Sequence, residues 1–122
     1  MAKRVVVRGE EAEIVVELDD GVVASGLWDR LPMESQAKLR GEEVRLPVLL
    51  PKATEASERT AVGVGDVAYR PPENALCLFC GDTPAGTGED SPLTPVGRIL
   101  AGIEDCKRVR QNETLRIEAS ED

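Results

Sequence analysis

The sequence predicts a mainly β domain: a closed barrel of about eight strands with one or two short capping helices. Most of the chain consists of short runs in which apolar and polar residues alternate and which end at Gly, Pro, Asn or Asp, as half-buried strands do. Apolar residues make up 41% of the 122 residues, but only one Trp, one Tyr and one Phe are present. Aliphatic residues must therefore fill the core, and barrel closure would leave no exposed sheet edge. At this length we expect a single domain, 1–122.

The beginning of the chain predicts two strands and a helix. The segments RVVVRG and AEIVVEL form the strands, with a turn at Gly9-Glu10 between them. Asp19 or Asp20 then caps a helix whose apolar residues recur at helical spacing, and Pro32 ends it. We expect one face of this helix to lie on the sheet.

The middle of the chain predicts four more strands. SQAKLR and EEVRLPVLL surround the turn residue Gly41, and VAYR and ALCLFC follow after a polar loop. Alternation along EEVRLPVLL predicts two faces: Val44, Leu46 and Val48 inward, and Glu43, Arg45 and Pro47 outward.

The last part of the chain predicts a long loop and the final elements. Residues 81–95 contain Gly, Pro, Thr, Ser and acids without an apolar period, and loops of this length are usually functional or mobile. VGRILAG then predicts a strand, IEDCKRV a short helix and TLRIEAS a final strand.

Charge and composition exclude several classes of function. A net charge of −8 repels nucleic acid and anionic lipid, so we expect neither as a partner. The longest apolar runs are a few residues and the N-terminus lacks the pattern of a signal peptide, which predicts a cytoplasmic protein. The absence of His excludes Ser-His-Asp, Cys-His and zinc-His mechanisms. No motif calls for a cofactor or a metal.

The spacing Cys77-Leu78-Phe79-Cys80 raises a redox or zinc hypothesis. Residues i and i+3 of a strand lie about 10 Å apart and face opposite sides, whereas a disulfide needs Cα atoms closer than about 7 Å. A zinc site would need further ligands, and Cys106 is the one other thiol. We therefore interpret both cysteines of the motif as packed in a strand rather than as a dithiol.

Three segments together resemble a minimal prokaryotic family with a cyclophilin-like barrel. VGDVAYRPPENALCLFCGDTP matches a Gly-Asp-apolar-Ala-Tyr/Trp-x-Pro-Pro signature followed by an apolar strand ending in Gly-x-Thr-Pro. LWDRLPMESQAKLRGEEVRLPV resembles the family's helix, strand, Gly-acidic turn and strand, and VGRILAGIEDCKRV is similar to a stretch of cyclophilins proper. The resemblance implies a compact eight-stranded barrel capped by helices. Most members of this family are uncharacterised, so it implies no particular activity.

Cyclophilins proper are peptidyl-prolyl isomerases, and their catalytic pattern is mostly missing here. QAKLR stands in place of the Phe-His-Arg strand and offers Arg40 or Lys38, while ALCLFC stands in place of Gln-Phe-Phe and offers Phe79. A weak isomerase in which Arg40 polarises the prolyl amide is therefore the runner-up hypothesis.

The leading hypothesis is a binding module for a peptide or small organic ligand that lies in a groove on one barrel face. Tyr69 and Phe79 offer apolar walls, although core packing explains both equally well, and Arg residues can clamp a carboxylate or carbonyl. Glu43 is the preferred acid of the Glu42-Glu43 pair, for which the alternative is a solvated turn. A third hypothesis is assembly through an exposed barrel face, giving a homodimer. The candidate ligand-binding residues are Arg40, Glu43, Leu46, Tyr69, Arg70, Phe79 and Thr83.

Overall fold

The computed structural model describes residues 3–40, 43–48, 63–70, 74–81 and 94–120. Within these ranges the chain forms nine strands and two helices. The strands are β1 (Lys3–Arg8), β2 (Glu13–Leu18), β3 (Met33–Gln36), β4 (Lys38–Arg40), β5 (Glu43–Pro47), β6 (Asp66–Arg70), β7 (Ala75–Phe79), β8 (Thr94–Ala101) and β9 (Thr114–Ala119). The helices are α1 (Val22–Asp29) and α2 (Ile103–Cys106).

All nine strands belong to one antiparallel sheet that curves into a nearly closed barrel. Their order is β3-β9-β1-β2-β8-β6-β7-β5-β4, so the two ends of the sheet are consecutive pieces of chain. Ala37 separates them: β3 pairs with β9, and β4 pairs with β5. The hydroxyl of Ser35 on β3 donates to the carbonyl of Pro47 at 2.7 Å, which holds the two ends of the sheet together.

The predicted barrel is confirmed, with a ninth strand where SQAKLR was expected to form one strand. The main chain of Ala37 bonds outside the sheet, donating to the carbonyl of Glu113 at 2.8 Å and accepting from Asn112 at 2.7 Å. This diversion interrupts the ladder and splits the segment into β3 and β4. The predicted helices both form, and α1 ends before Pro32 as expected.

The start of α1 differs from the prediction of an aspartate cap. Gly21 occupies the N-cap and no side chain caps the helix. Asp19 instead accepts a hydrogen bond from the backbone N–H of Gly21 at 2.8 Å, so its carboxylate closes the turn that precedes the helix. α1 then packs Val23, Ala24 and Leu27 into the core.

The barrel interior is aliphatic, as the composition predicted. Val5, Val7, Ile14, Val16 and Leu18 supply one side of the core. The other side is supplied by Val44, Leu46, Val67, Tyr69, Leu76, Leu78 and Cys80, and by Val96, Leu115 and Ile117.

The strands fall into two groups by burial. β2 and β9 alternate between buried and more accessible residues, as strands with one face toward solvent do. β7 is buried at every residue, and β5 and β6 at nearly every one, so both faces of this part of the sheet are covered. Neither described helix is long and apolar enough to cross a membrane.

Candidate functional site

The face of β5, β6 and β7 that points away from the barrel interior carries charged side chains that are buried. We call it the outer face. The register places Phe79 opposite Glu43, and places Cys77 between Arg45 and Ala68. Its members are Glu43, Arg45, Ala68, Arg70, Ala75, Cys77 and Phe79, and all are buried.

Three of these residues form a buried ion cluster. Arg45 donates through Nε to Oε2 of Glu43 at 2.9 Å, and Nη2 of Arg70 lies 3.7 Å from the same oxygen. The side chain of Glu43 is 0% exposed and that of Arg70 1%. Moving charges out of water costs several kcal/mol per ion, and mutual attraction offsets this only with good geometry. Glu43 and Arg45 point away from the barrel interior, as the alternation along β5 predicted. Both are nevertheless buried, so the alternative of a solvated turn at Glu43 is wrong.

Cys77 lies within this cluster and is a neutral thiol. Burial raises its pKa from 9.0 to about 12, and the negative charge and hydrogen bonding of Glu43 act in the same direction. Arg70 opposes the shift without reversing it. Because the thiolate is the reactive form, Cys77 is a poor nucleophile at neutral pH. Its interpretation as a packed strand residue is confirmed.

Leu46 and Tyr69 lie on the opposite face, inside the barrel. Both are 0% exposed and belong to the main core. The Tyr69 hydroxyl donates to the Val48 carbonyl at 2.6 Å and lies 3.3 Å from Oδ1 of Asn74, so its polar tip is satisfied within the protein. Of the candidate residues, the structure therefore brings Glu43, Arg70 and Phe79 together on the outer face and separates Leu46 and Tyr69 from them.

Two further candidates, Arg40 and Thr83, are at or beyond the limits of the described residues. Arg40 ends β4 and its backbone pairs with Glu43, but its side chain is outside the described part of the structure. Thr83 lies outside the described residues, as do Glu42 and most of the predicted loop 81–95.

Cys80 forms a disulfide with Cys106, a pairing that the C-x-x-C spacing did not predict. The Cα atoms are 5.9 Å apart, within the usual range for a bridge. Cys77 and Cys80 do face opposite sides of the strand, as expected, and this directs Cys80 into the interior where α2 presents Cys106. Cys80 is packed in the core and does not bridge to Cys77, as interpreted, but its thiol is bonded to Cys106. Spacing revealed which side Cys80 faces but not its partner, 26 residues away.

The disulfide lies beside a concavity of about 110 Å³, which we call the seam cavity. It is located where β4 and β5 meet the connection from α2 to β9. Its walls are largely apolar, and Lys107 and the predicted site residue Glu43 also line it. The lining residues are Leu39, Glu43, Val44, Cys80, Cys106, Lys107 and Val109.

No group of three His, Cys, Asp or Glu side chains is arranged to hold a metal ion within the described ranges. The charged groups of the outer face are those of the Glu43–Arg45–Arg70 cluster. The seam cavity adds the ammonium group of Lys107.

The barrel topology and the sequence agree on one family. The family model described as Cyclophilin-like matches residues 3–118. The chain belongs to the cyclophilin-like family. No curated protein matches this cyclophilin-like chain.

Two solved structures resemble this cyclophilin-like protein over nearly its whole length. The solution structure of a hypothetical protein from Archaeoglobus fulgidus is 31% identical, with a TM-score of 0.77, and the match covers 98% of this chain and 95% of that one. The structure of McbB in complex with tryptophan is 18% identical, with a TM-score of 0.69, and the match covers 97% of this chain but 45% of McbB. The second likeness shows the fold alone.

Proposed function

We propose that this cyclophilin-like protein binds a peptide or a small organic ligand, and that the seam cavity holds the apolar part of that ligand. The observation that carries the proposal is the cavity itself. Binding sites for small molecules are typically concave and mostly apolar, with a few polar groups that orient the ligand. The seam cavity has this composition, since Leu39, Val44 and Val109 supply apolar wall and Lys107 supplies a cation.

The location of the cavity supports the same proposal. Glu43 lines it and is also bound to Arg45 on the outer face. A ligand at the seam would therefore contact a residue whose position is held by buried ion pairs, and such preorganised surroundings reduce the cost of binding.

Other sequence-based expectations remain part of the proposal. We propose that the net charge of −8 keeps nucleic acid and anionic membranes from being partners, and that the protein acts in the prokaryotic cytoplasm. The relative from Archaeoglobus fulgidus agrees with a prokaryotic source. The isomerase hypothesis depends on the Arg40 side chain and stays a prediction.

A thermal-shift screen tests the proposal. The panel contains amino acids, small organic acids and short peptides, including proline peptides. A ligand at about 100 times its Kd adds about 2.7 kcal/mol, which raises Tm by roughly 10 °C in a domain of this size. We expect at least one compound to stabilise the protein.

Two variants locate the binding. Val109→Phe fills the cavity, and Leu39→Asp places a charge on its wall; both should abolish the thermal shift. Leu100→Asp is the matched control, because Leu100 is also a partly exposed strand leucine but does not line the cavity. A panel without any stabilising compound, or a shift that survives both cavity variants, would show that the cavity is not the binding site.

A further inference from the structure

The outer edge of β4 carries a hydrogen bond that stands in for a missing strand. Lys38 and Arg40 are register partners of Arg45 and Glu43 on β5, and Leu39 lies between them. The backbone N–H of Leu39 bonds to a side chain rather than to another strand. It donates to Oε1 of Gln111 at 2.7 Å. An antiparallel strand edge offers such N–H groups for pairing with another strand. The carboxamide of Gln111 thus occupies the position that a peptide carbonyl would take.

The surroundings of this bond show why it can be replaced. At Ala37, the same edge is held by main-chain bonds to Asn112 and Glu113. At Leu39, the partner is the end of a flexible side chain, and Gln111 is exposed. An incoming carbonyl would exchange one hydrogen bond to the Leu39 N–H for an equivalent one.

The seam cavity opens beside this edge, since Leu39 belongs to both. Its volume of about 110 Å³ is smaller than the roughly 150 Å³ cavity that admits benzene. A small aliphatic side chain such as Val fits this size class, whereas an aromatic ring does not.

Two exposed lysines lie beside the edge in a protein whose net charge is −8. Lys38 is on β4 itself, and Lys107 lines the seam cavity. These two cations would attract an acidic segment.

We propose that β4 binds an extended acidic peptide by strand addition. The carbonyl of one peptide residue replaces Oε1 of Gln111 on the N–H of Leu39, and the small aliphatic side chain of that residue enters the seam cavity. This proposal rests on the proposed function, and it specifies the ligand class and the bonding pattern.

The probe is a fluorescein-labelled peptide, Glu-Thr-Glu-Val-Glu-Thr-Glu, measured by fluorescence anisotropy. The matched control peptide is methylated on the backbone nitrogen of Val, which removes the N–H that would donate to the Leu39 carbonyl. We expect the unmethylated peptide to bind, with weaker binding at high salt, and the methylated one to lose most of its affinity. The Leu39 amide resonance should shift only with the unmethylated peptide.

Variants of the protein test the displacement step. Gln111→Ala removes the competing carboxamide and should tighten binding about fivefold, the value of one ordinary hydrogen bond. Gln36→Ala is the control, because Gln36 is an exposed glutamine on β3 and should leave affinity unchanged. Equal binding of the methylated peptide, an unmoved Leu39 amide, or weaker binding by Gln111→Ala would each overturn strand addition.

Xenon separates this proposal from the proposed function. Xenon needs the cavity but no strand addition, and its entry would shift the methyl resonances of Val44 and Val109. If xenon enters and the peptide does not bind, strand addition fails and the cavity remains a binding site; if neither binds, both proposals fail. Dimerisation that Gln111→Ala strengthens, seen by light scattering, would assign the edge to a second copy and overturn the peptide proposal.

Discussion

Two Arg–Glu pairs with the same local geometry lie on different parts of the barrel. On β5, Nε of Arg45 is 2.9 Å from Oε2 of Glu43; on β9, Nε of Arg116 is 2.9 Å from Oε2 of Glu118. The residues are two apart in each strand. The side chains of the first pair are 8% and 0% exposed, and those of the second 50% and 32%. The same chemical contact therefore occurs once in the protein interior and once in solvent.

The difference follows from what covers each part of the sheet. β9 turns one face to the core and the other to solvent, where Glu118 also meets Arg8 of β1 at 2.8 Å. Exposed pairs of this kind are screened and contribute little. β5 is buried on both faces, so its pair cannot exchange partners with water. The distance between two charged atoms therefore says little about what their contact contributes to stability until the burial of both side chains is known.

The largest expected effect comes from removing the buried carboxylate. Glu43→Gln keeps the shape of the side chain but takes the negative charge from between Arg45 and Arg70. Breaking a buried pair by removing one partner costs about 3–5 kcal/mol, because the remaining buried charge loses the opposite charge that offset its desolvation. We expect a loss of about 3 kcal/mol in the free energy of unfolding, measured by urea denaturation.

Glu118→Gln is the matched control on β9. It makes the same chemical change in a pair with the same Nε–Oε2 distance, and we expect it to leave the urea midpoint almost unchanged. Similar losses in the two variants would show that burial does not distinguish the pairs.

The next effect on stability comes from the two cysteines at the end of β7, which face opposite sides of the sheet. Cys80 faces the interior and is bridged to Cys106, while Cys77 faces the outer side and is free. A bridge that closes a loop of 26 residues stabilises by about 3 kcal/mol, chiefly by restricting the unfolded chain. Cys106→Ala should lose about this amount, and Cys77→Ala about 1 kcal/mol for the small cavity it leaves. Addition of a reductant should destabilise the wild type and leave Cys106→Ala unchanged; equal sensitivity of the two would contradict the bridge.

A smaller, pH-dependent effect belongs to Cys77 itself. Its pKa is raised by burial from 9.0 to about 12, so the folded state keeps a proton that the unfolded state loses. The resulting stability is fully present below pH 9 and is lost as the pH rises toward 12. The slope is roughly 1.4 kcal/mol per pH unit at most.

The measurement compares urea midpoints of the wild type and Cys77→Ala across this range. All other titratable groups are the same in the two proteins, so the difference between the two curves isolates Cys77. The native thiol should also resist alkylation at neutral pH. Parallel curves, or rapid alkylation of the folded protein, would contradict a raised pKa.

Much of the fold was predictable because strand alternation, turn residues and one helical repeat are local patterns. Alternation along β5 assigned Val44, Leu46 and Val48 to the interior correctly. The split of SQAKLR at Ala37 was not predictable, because it depends on main-chain bonds to Asn112 and Glu113, more than 70 residues away.

The candidate site was less predictable, for a physical reason. Period-2 alternation indicates which face a residue is on but not whether a second layer covers that face. Glu43 and Arg45 therefore read as solvent-facing residues although both are buried. The disulfide and the seam cavity depend on the position of α2 relative to β7, which no local pattern contains.

The smallest expected effect concerns the exposed pair on β9, Arg116 and Glu118. Hydrogen bonding from Arg116 lowers the pKa of Glu118 below its usual value of 4.5, and the charge of Arg8 acts in the same direction. The associated stability is present above pH 4.5 and is lost as the pH falls through the lowered pKa. Because Glu118 is open to solvent, high salt should weaken the shift. A carboxyl ¹³C titration by NMR should give a midpoint below 4.5 that rises in Arg116→Gln and at high salt. A midpoint at or above 4.5, or one that ignores both changes, would mean that the contact on β9 is not maintained in solution.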